Sequence, residues 1–188
     1  MKAEENYTEK YKNFNLYDYI SEDSIFMIAA KEAAVKFSLT PTYPIGIVLV
    51  NNGKVLCESG NGNGYHENNI DSKGHISGCV RKFISQERLK AGGEKIKAGE
   101  EFDLCPGCHT DYHAEANLIR KALELDIDTT DCDIYMYGHY WCCGECWVKI
   151  KMANIAKVVL PNTYKKFEDP IKVKEWAKEV SDIRLKNE

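Results

Sequence analysis

No apolar run in this sequence is long enough to cross a bilayer: the longest, Ile45 to Val50, falls far short of the ~20 residues a spanning helix needs. The opening residues, Met1-Lys2-Ala3-Glu4-Glu5-Asn6, are polar and mixed in charge, without an apolar signal core. Excess positive charge is missing as well. Lys and Arg total 25 against 29 Asp and Glu, a net charge of −4, which argues against the basic face of a strong nucleic-acid binder. There is no internal repeat and no low-complexity stretch. These absences together lead us to expect a cytoplasmic protein, in which thiols stay reduced.

What is present is ordinary in bulk and unusual in one residue type. The chain of 188 residues is about one domain's worth. A chain of that size buries roughly 70% of its unfolded surface without disulfide staples. A composition of 44% hydrophobic and 29% charged residues excludes disorder and collagen-like repeats. The eight cysteines, at 57, 79, 105, 108, 132, 142, 143 and 146, need another reason, and their clustering suggests metal.

Local patterns set the order of elements. Residues 1 to about 20 show no strong period. Ser21, followed by Glu22 and Asp23, starts an expected helix whose apolar face includes Phe26, Ile28, Ala29, Ala33, Val35 and Phe37. Ile45 to Val50 reads as a buried strand, and Asn51-Asn52-Gly53 as a hairpin turn into a second strand, Lys54 to Glu58. A long charged stretch follows, about 64–111, with one expected helix near Ile76 to Leu89. A structureless loop of that length is improbable inside a compact domain, so function or a metal staple is expected there. Beyond it come a helix from His113, a strand Asp133 to Tyr137, a helix Cys143 to Ala153, a strand Ile155 to Leu160 and a charged helix at about 172–186. This order points to an α/β fold in one domain, with its core at about 22–165.

Two short motifs carry chemistry. His113-Ala114-Glu115 stands at the start of one expected helix, and Cys143-Gly144-Glu145-Cys146 opens the next. One imidazole and two thiolates supply three ligands of a tetrahedral zinc and leave the fourth position to water, the mark of a catalytic rather than a structural metal. A helix N-terminus favours the thiolate form of Cys143 and Cys146. Residues two apart on a helix point about 200° apart, so His113 and Glu115 converge only on a metal beyond the helix end. Zinc lowers the pKa of its water toward ~7, and a carboxylate beside it can shuttle protons to a ring nitrogen and to a departing amine. Glu115 is the expected catalytic acid/base, and the reaction is hydrolytic deamination.

These motifs resemble the His-x-Glu and Cys-x-x-Cys signature of the zinc-dependent cytidine/deoxycytidylate deaminase superfamily, and most of all its dCMP deaminase branch. The resemblance covers roughly residues 25–165, including Phe26 to Ala30, Ala33, Ser38 and the strand Ile45 to Val50. It implies a three-layer α/β/α fold with a mixed five-stranded sheet and a long insertion, assembled into homo-oligomers. It also implies that Asn61 contacts the nucleoside sugar, although a role in the Gly-rich turn is the alternative, and Ala114 is a further expected substrate contact. His139 and Trp141, just before the ligand cysteines, read as either pocket lining or core filling. Cys142 stands where the family has proline, and the approach Tyr137 to Cys142 is richer in aromatic residues than is usual. Cys142 reads as a pocket-wall residue, because a third thiolate would close the metal to water. Cys57 and Cys132 read as small buried side chains.

Within the insertion, Cys105-Pro106-Gly107-Cys108 is a C-x-x-C turn. With Cys79 and one histidine, His75 or the nearby His109, it would make a closed structural zinc site. His66 reads as a loop histidine. The expected function is conversion of dCMP to dUMP with release of ammonia, on a small-molecule nucleotide and at no membrane. The alternatives are a deaminase of free cytidine, a guanine-like base, a pyrimidine intermediate of flavin synthesis or tRNA adenosine, and a non-catalytic zinc-binding module. A tRNA reader should show a basic surface, and a purely structural metal has no use for Glu115.

Overall fold

Alternation within one strand separates the layers of the fold. In β2 (Gly46–Asn51), Ile47 and Leu49 join one buried cluster, while Val48 and Val50 join another on the opposite face. The structure is a computed structural model that describes residues 17–40, 43–66, 79–97, 100–163 and 183. The five strands β1 (Asp18–Ile20), β2, β3 (Lys54–Gly60), β4 (Asp133–Tyr137) and β5 (Lys157–Pro161) form one sheet in the order β1-β5-β4-β2-β3. Strands β1, β5 and β4 run parallel, and β2 is antiparallel to both β4 and β3. The sheet is therefore mixed, as expected.

Helix α1 (Ile25–Phe37) covers one face with Met27, Ala30, Ala33 and Ala34. Its small residues let it lie almost on the strand backbone. A Cβ added at Gly46 would come within 2.0 Å of the Ala30 carbonyl oxygen, so no other residue fits there. The helix begins three residues later than expected. Ser24, not Ser21, is the N-cap, accepting from the Met27 N–H at 3.2 Å, a bond whose loss typically costs about 1 kcal/mol.

The other face is covered by α3 (Ala114–Glu124) and α4 (Gly144–Met152), through Leu118, Ala122, Trp147 and Ile150. The hairpin turn is as expected, with Asn52 and Gly53 both at positive φ, 50° and 74°. Helix α2 (Val80–Lys90) lies between β3 and α3 and starts later than the expected Ile76. Strand β1 was not expected, because three residues at a sheet edge are too few to show a period. The expected C-terminal helix at 172–186 lies outside the described residues, Ile183 apart. Among the described residues, no helix is long and apolar enough to cross a membrane.

Candidate metal centre and active site

Two helix N-termini meet at the expected motif residues. His113 is the N-cap of α3 and Cys143 the N-cap of α4. The two helices pack side by side against the sheet. Nδ1 of His113 lies 3.5 Å from Sγ of Cys143 and 3.5 Å from Sγ of Cys146. Zn–S bonds of about 2.3 Å and Zn–N bonds of about 2.0–2.1 Å at tetrahedral angles place N and S about 3.5 Å apart. The donor set and its spacing therefore fit a zinc ion. Cys143 also accepts the N–H of Cys146 at 3.5 Å, which ties the second sulfur's backbone to the first.

Charge follows from that packing. The hydrogen bond from Cys146 is the main cause that pushes the Cys143 thiol down, to about 5, and the same bond pushes Cys146 up. Metal binding needs both thiols deprotonated, so a divalent cation competes with protons at this pair. Burial opposes charge on His113, but its hydrogen bond to Cys143 and the charge of that sulfur raise its pKa.

Glu115 sits in the first turn of α3 and is only 4% exposed. Its charge bears on His113, Cys143 and Cys146, which puts it in the neighbourhood of the three donors. Cys142 is buried beside it. Burial first, and then the carboxylate of Glu115, which accepts from the thiol, push Cys142 well up. A neutral thiol on Glu115 is a hydrogen-bond donor that a proline at that position could not supply.

Tyr17 is a functional neighbour that sequence reasoning missed. Its hydroxyl accepts the Cys142 N–H at 2.8 Å and the Trp147 indole N–H at 3.3 Å, and burial raises its pKa. It pins the peptide immediately before the ligand cysteines. No pattern marks it, since it lies in a polar, Tyr-rich stretch just before the edge strand.

The residues expected to contact substrate are placed unevenly. Trp141 is buried and His139 half-buried, with Nδ1 of His139 2.9 Å from the Trp141 carbonyl and its ring stacked on Tyr140 at 5.2 Å. Burial is the main cause that lowers His139, to about 4, with the nearby His113 adding to it. Ala114 is fully buried as the first residue of α3. Asn61 is engaged in tying loops together. Its Oδ1 accepts from Ser38 Oγ at 2.7 Å and from the Ile45 N–H at 2.9 Å, and its Nδ2 donates to the Tyr43 carbonyl at 2.9 Å. This holds the end of α1 against the entry to β2.

A second group of ligand side chains lies in the stretch between β3 and α3. His66, Cys79, Cys105 and Cys108 bring their donor atoms within 4.8 Å of one another. His66 Nε2 is 3.3 Å from Cys105 Sγ and 3.8 Å from Cys108 Sγ, and Cys79 Sγ is 3.7 Å from Cys108 Sγ. The three cysteines are those expected from spacing. His75 lies outside the described residues, and the imidazole in the group is that of His66, brought there by the loop that leaves β3.

A family model described as the cytidine and deoxycytidylate deaminase zinc-binding region matches residues 20–161. No curated protein sequence matches the chain. Among solved structures, the apo dCMP deaminase from cyanophage S-TIM5 is 15% identical over 81% of this chain and 89% of its own, with a TM-score of 0.41. A diaminohydroxyphosphoribosylaminopyrimidine deaminase/5-amino-6-(5-phosphoribosylamino)uracil reductase from Thermotoga maritima is 16% identical over 85% of this chain, which spans 39% of that protein, with a TM-score of 0.40. A tRNA:A34 deaminase is 19% identical over 80% of this chain and 92% of its own, also at 0.40. Likeness at this level selects no substrate.

Proposed function

Because the chain belongs to the cytidine and deoxycytidylate deaminase family, we propose that it removes the exocyclic amine of a cytosine-type nucleotide by hydrolysis, dCMP to dUMP with release of ammonia. The observation that carries this reading is the convergence of His113 Nδ1, Cys143 Sγ and Cys146 Sγ at two helix N-termini, with Glu115 buried in the first turn of one of those helices. Three donors suit a catalytic zinc with one position open, and such an ion supplies a water acidified to a pKa of about 7.

The protein's own groups do the rest. Glu115 takes a proton from the attacking water on a carboxylate oxygen and gives it to ring nitrogen N3 as the C–O bond forms. It then carries the remaining hydroxyl proton to the amine, the C–N bond breaks, and ammonia leaves behind a carbonyl. The thiol of Cys142 holds that carboxylate in place, and Tyr17 holds the Cys142 peptide. His139 donates from Nδ1 to the Trp141 carbonyl. Burial favours its neutral form, which leaves Nε2 as an acceptor for the amine or sugar of the substrate.

Ammonia release from a panel of cytosine, cytidine, CMP, dCMP, guanine, a flavin-pathway pyrimidine and tRNA tests the reading. We expect turnover of dCMP above the other small molecules. Deamination of polynucleotide alone would overturn the small-molecule assignment, and no turnover with zinc bound would favour a non-catalytic module.

A further inference from the structure

The deamination chemistry leaves the four-ligand group between β3 and α3 unused, yet that group touches the catalytic histidine. The geometry points to a second, closed zinc-type site at His66, Cys79, Cys105 and Cys108, whose occupancy positions the imidazole of His113. This inference rests on the reading of His113 as a ligand of the catalytic metal.

The donor set fits a structural ion. Three thiols and one imidazole fill all four positions of a tetrahedron, and the expected spacings are about 3.8 Å between sulfurs and about 3.5 Å between nitrogen and sulfur. The 3.7 Å between Cys79 and Cys108 lies close to the first value, and the 3.3 and 3.8 Å from His66 to Cys105 and Cys108 bracket the second. Cys79 is the N-cap of α2, where the helix end favours thiolate. The Cys105 to Cys108 turn is closed by the Cys108 N–H on the Cys105 carbonyl at 2.9 Å. A Cβ on Gly107 would lie 2.6 Å from His66 Nε2, so this turn accepts only glycine if the imidazole is to reach the sulfurs. His66 itself is buried.

Two contacts carry the position of this group to His113. Nδ1 of His113 faces the catalytic sulfurs, and the same side chain interacts with the backbone of Cys108, one of the four ligands. A metal-bound histidine is oriented, and its tautomer fixed, by the partner of its second nitrogen. Phe102 meets the His113 ring edge-on, 4.7 Å between centroids at 90°. Its own carbonyl accepts the Cys105 N–H at 3.3 Å. Between Cys108 and His113 the chain makes only the short 3-10 turn Thr110–Tyr112, which leaves little slack for one end to move without the other.

Zinc stoichiometry and chelator competition on the purified protein test this. We expect wild type to hold two zinc ions per chain and Cys79→Ser to hold one. In Cys79→Ser the remaining ion should be bound about 10–100-fold more weakly than the catalytic ion of wild type, as when an outer partner of a metal ligand is lost. Gly107→Ala removes no ligand and should show the same two changes; it stands in if Cys79→Ser fails to fold. His66→Cys restores a fourth donor and should keep both ions and the tight catalytic affinity. Wild type holding one zinc, or a disulfide among these cysteines in its place, would overturn the site. One zinc in Cys79→Ser at unchanged affinity would overturn the coupling. Each result is read from metal alone, so a failure of the deaminase assignment would appear separately, in the substrate panel.

Discussion

The sheet with its covering helices and the stretch from His66 to Tyr112 are held together by different forces. The first buries Ile47, Leu49, Leu118, Ile134, Met136, Ile150, Val158 and Leu160 completely or nearly so. In the second, α2 buries only Ser85, and among the described residues Ile96 is the one aliphatic side chain buried near it. Polar links take over there. Arg81 donates to the carbonyls of Glu100 and Lys97 at 2.8 Å each, and Ser85 accepts the Ile96 N–H at 3.1 Å. Such bonds contribute modestly because water competes for the same groups. Under our proposal the four-ligand group supplies the cross-links there, and the comparison teaches that this region should depend on metal where the sheet does not.

The comparison can be broken most sharply at the catalytic ligands. Cys143→Ser should lose one zinc ion and all measurable turnover while the second site keeps its ion, as read by elemental analysis beside ammonia release. A smaller effect is expected in the sheet. Ile134→Ala removes a fully buried side chain and should lower stability by about 2–5 kcal/mol in urea unfolding, with zinc content unchanged. Chelation should then separate the regions by hydrogen exchange: amides of α2 lose protection first, while those of β2 and β4 keep it. Equal loss in both would remove the distinction. The smallest effect belongs to Arg88→Gln, which breaks the exposed ion pair with Glu101; melting temperature and zinc content should stay within error of wild type.

The sequence is legible where one local rule decides. Asp133–Tyr137 is the strand its residues indicate, because an apolar run bounded by Asp131 and Gly138 has few alternatives. His113 and Cys143 stand at the two helix starts, since the motifs are short and each helix follows at once. Legibility fails where a tertiary contact decides. His66 reaches Cys105 across 39 positions, while His75 looked nearer in sequence to Cys79. Tyr17 acts on Cys142 across 125 positions, and no spacing rule spans that distance. The bonds of the Asn61 amide to Ser38, Ile45 and Tyr43 likewise depend on where α1 ends.

The account turns on Glu115 as the group that moves protons beside a zinc ion held by His113, Cys143 and Cys146. Ammonia release by Glu115→Gln, measured with wild type on the nucleotide that wild type prefers, tests it most directly. Turnover should fall by at least about 10²-fold, the usual worth of a positioned acid/base, with zinc per chain unchanged. Undiminished turnover in that variant would contradict the mechanism.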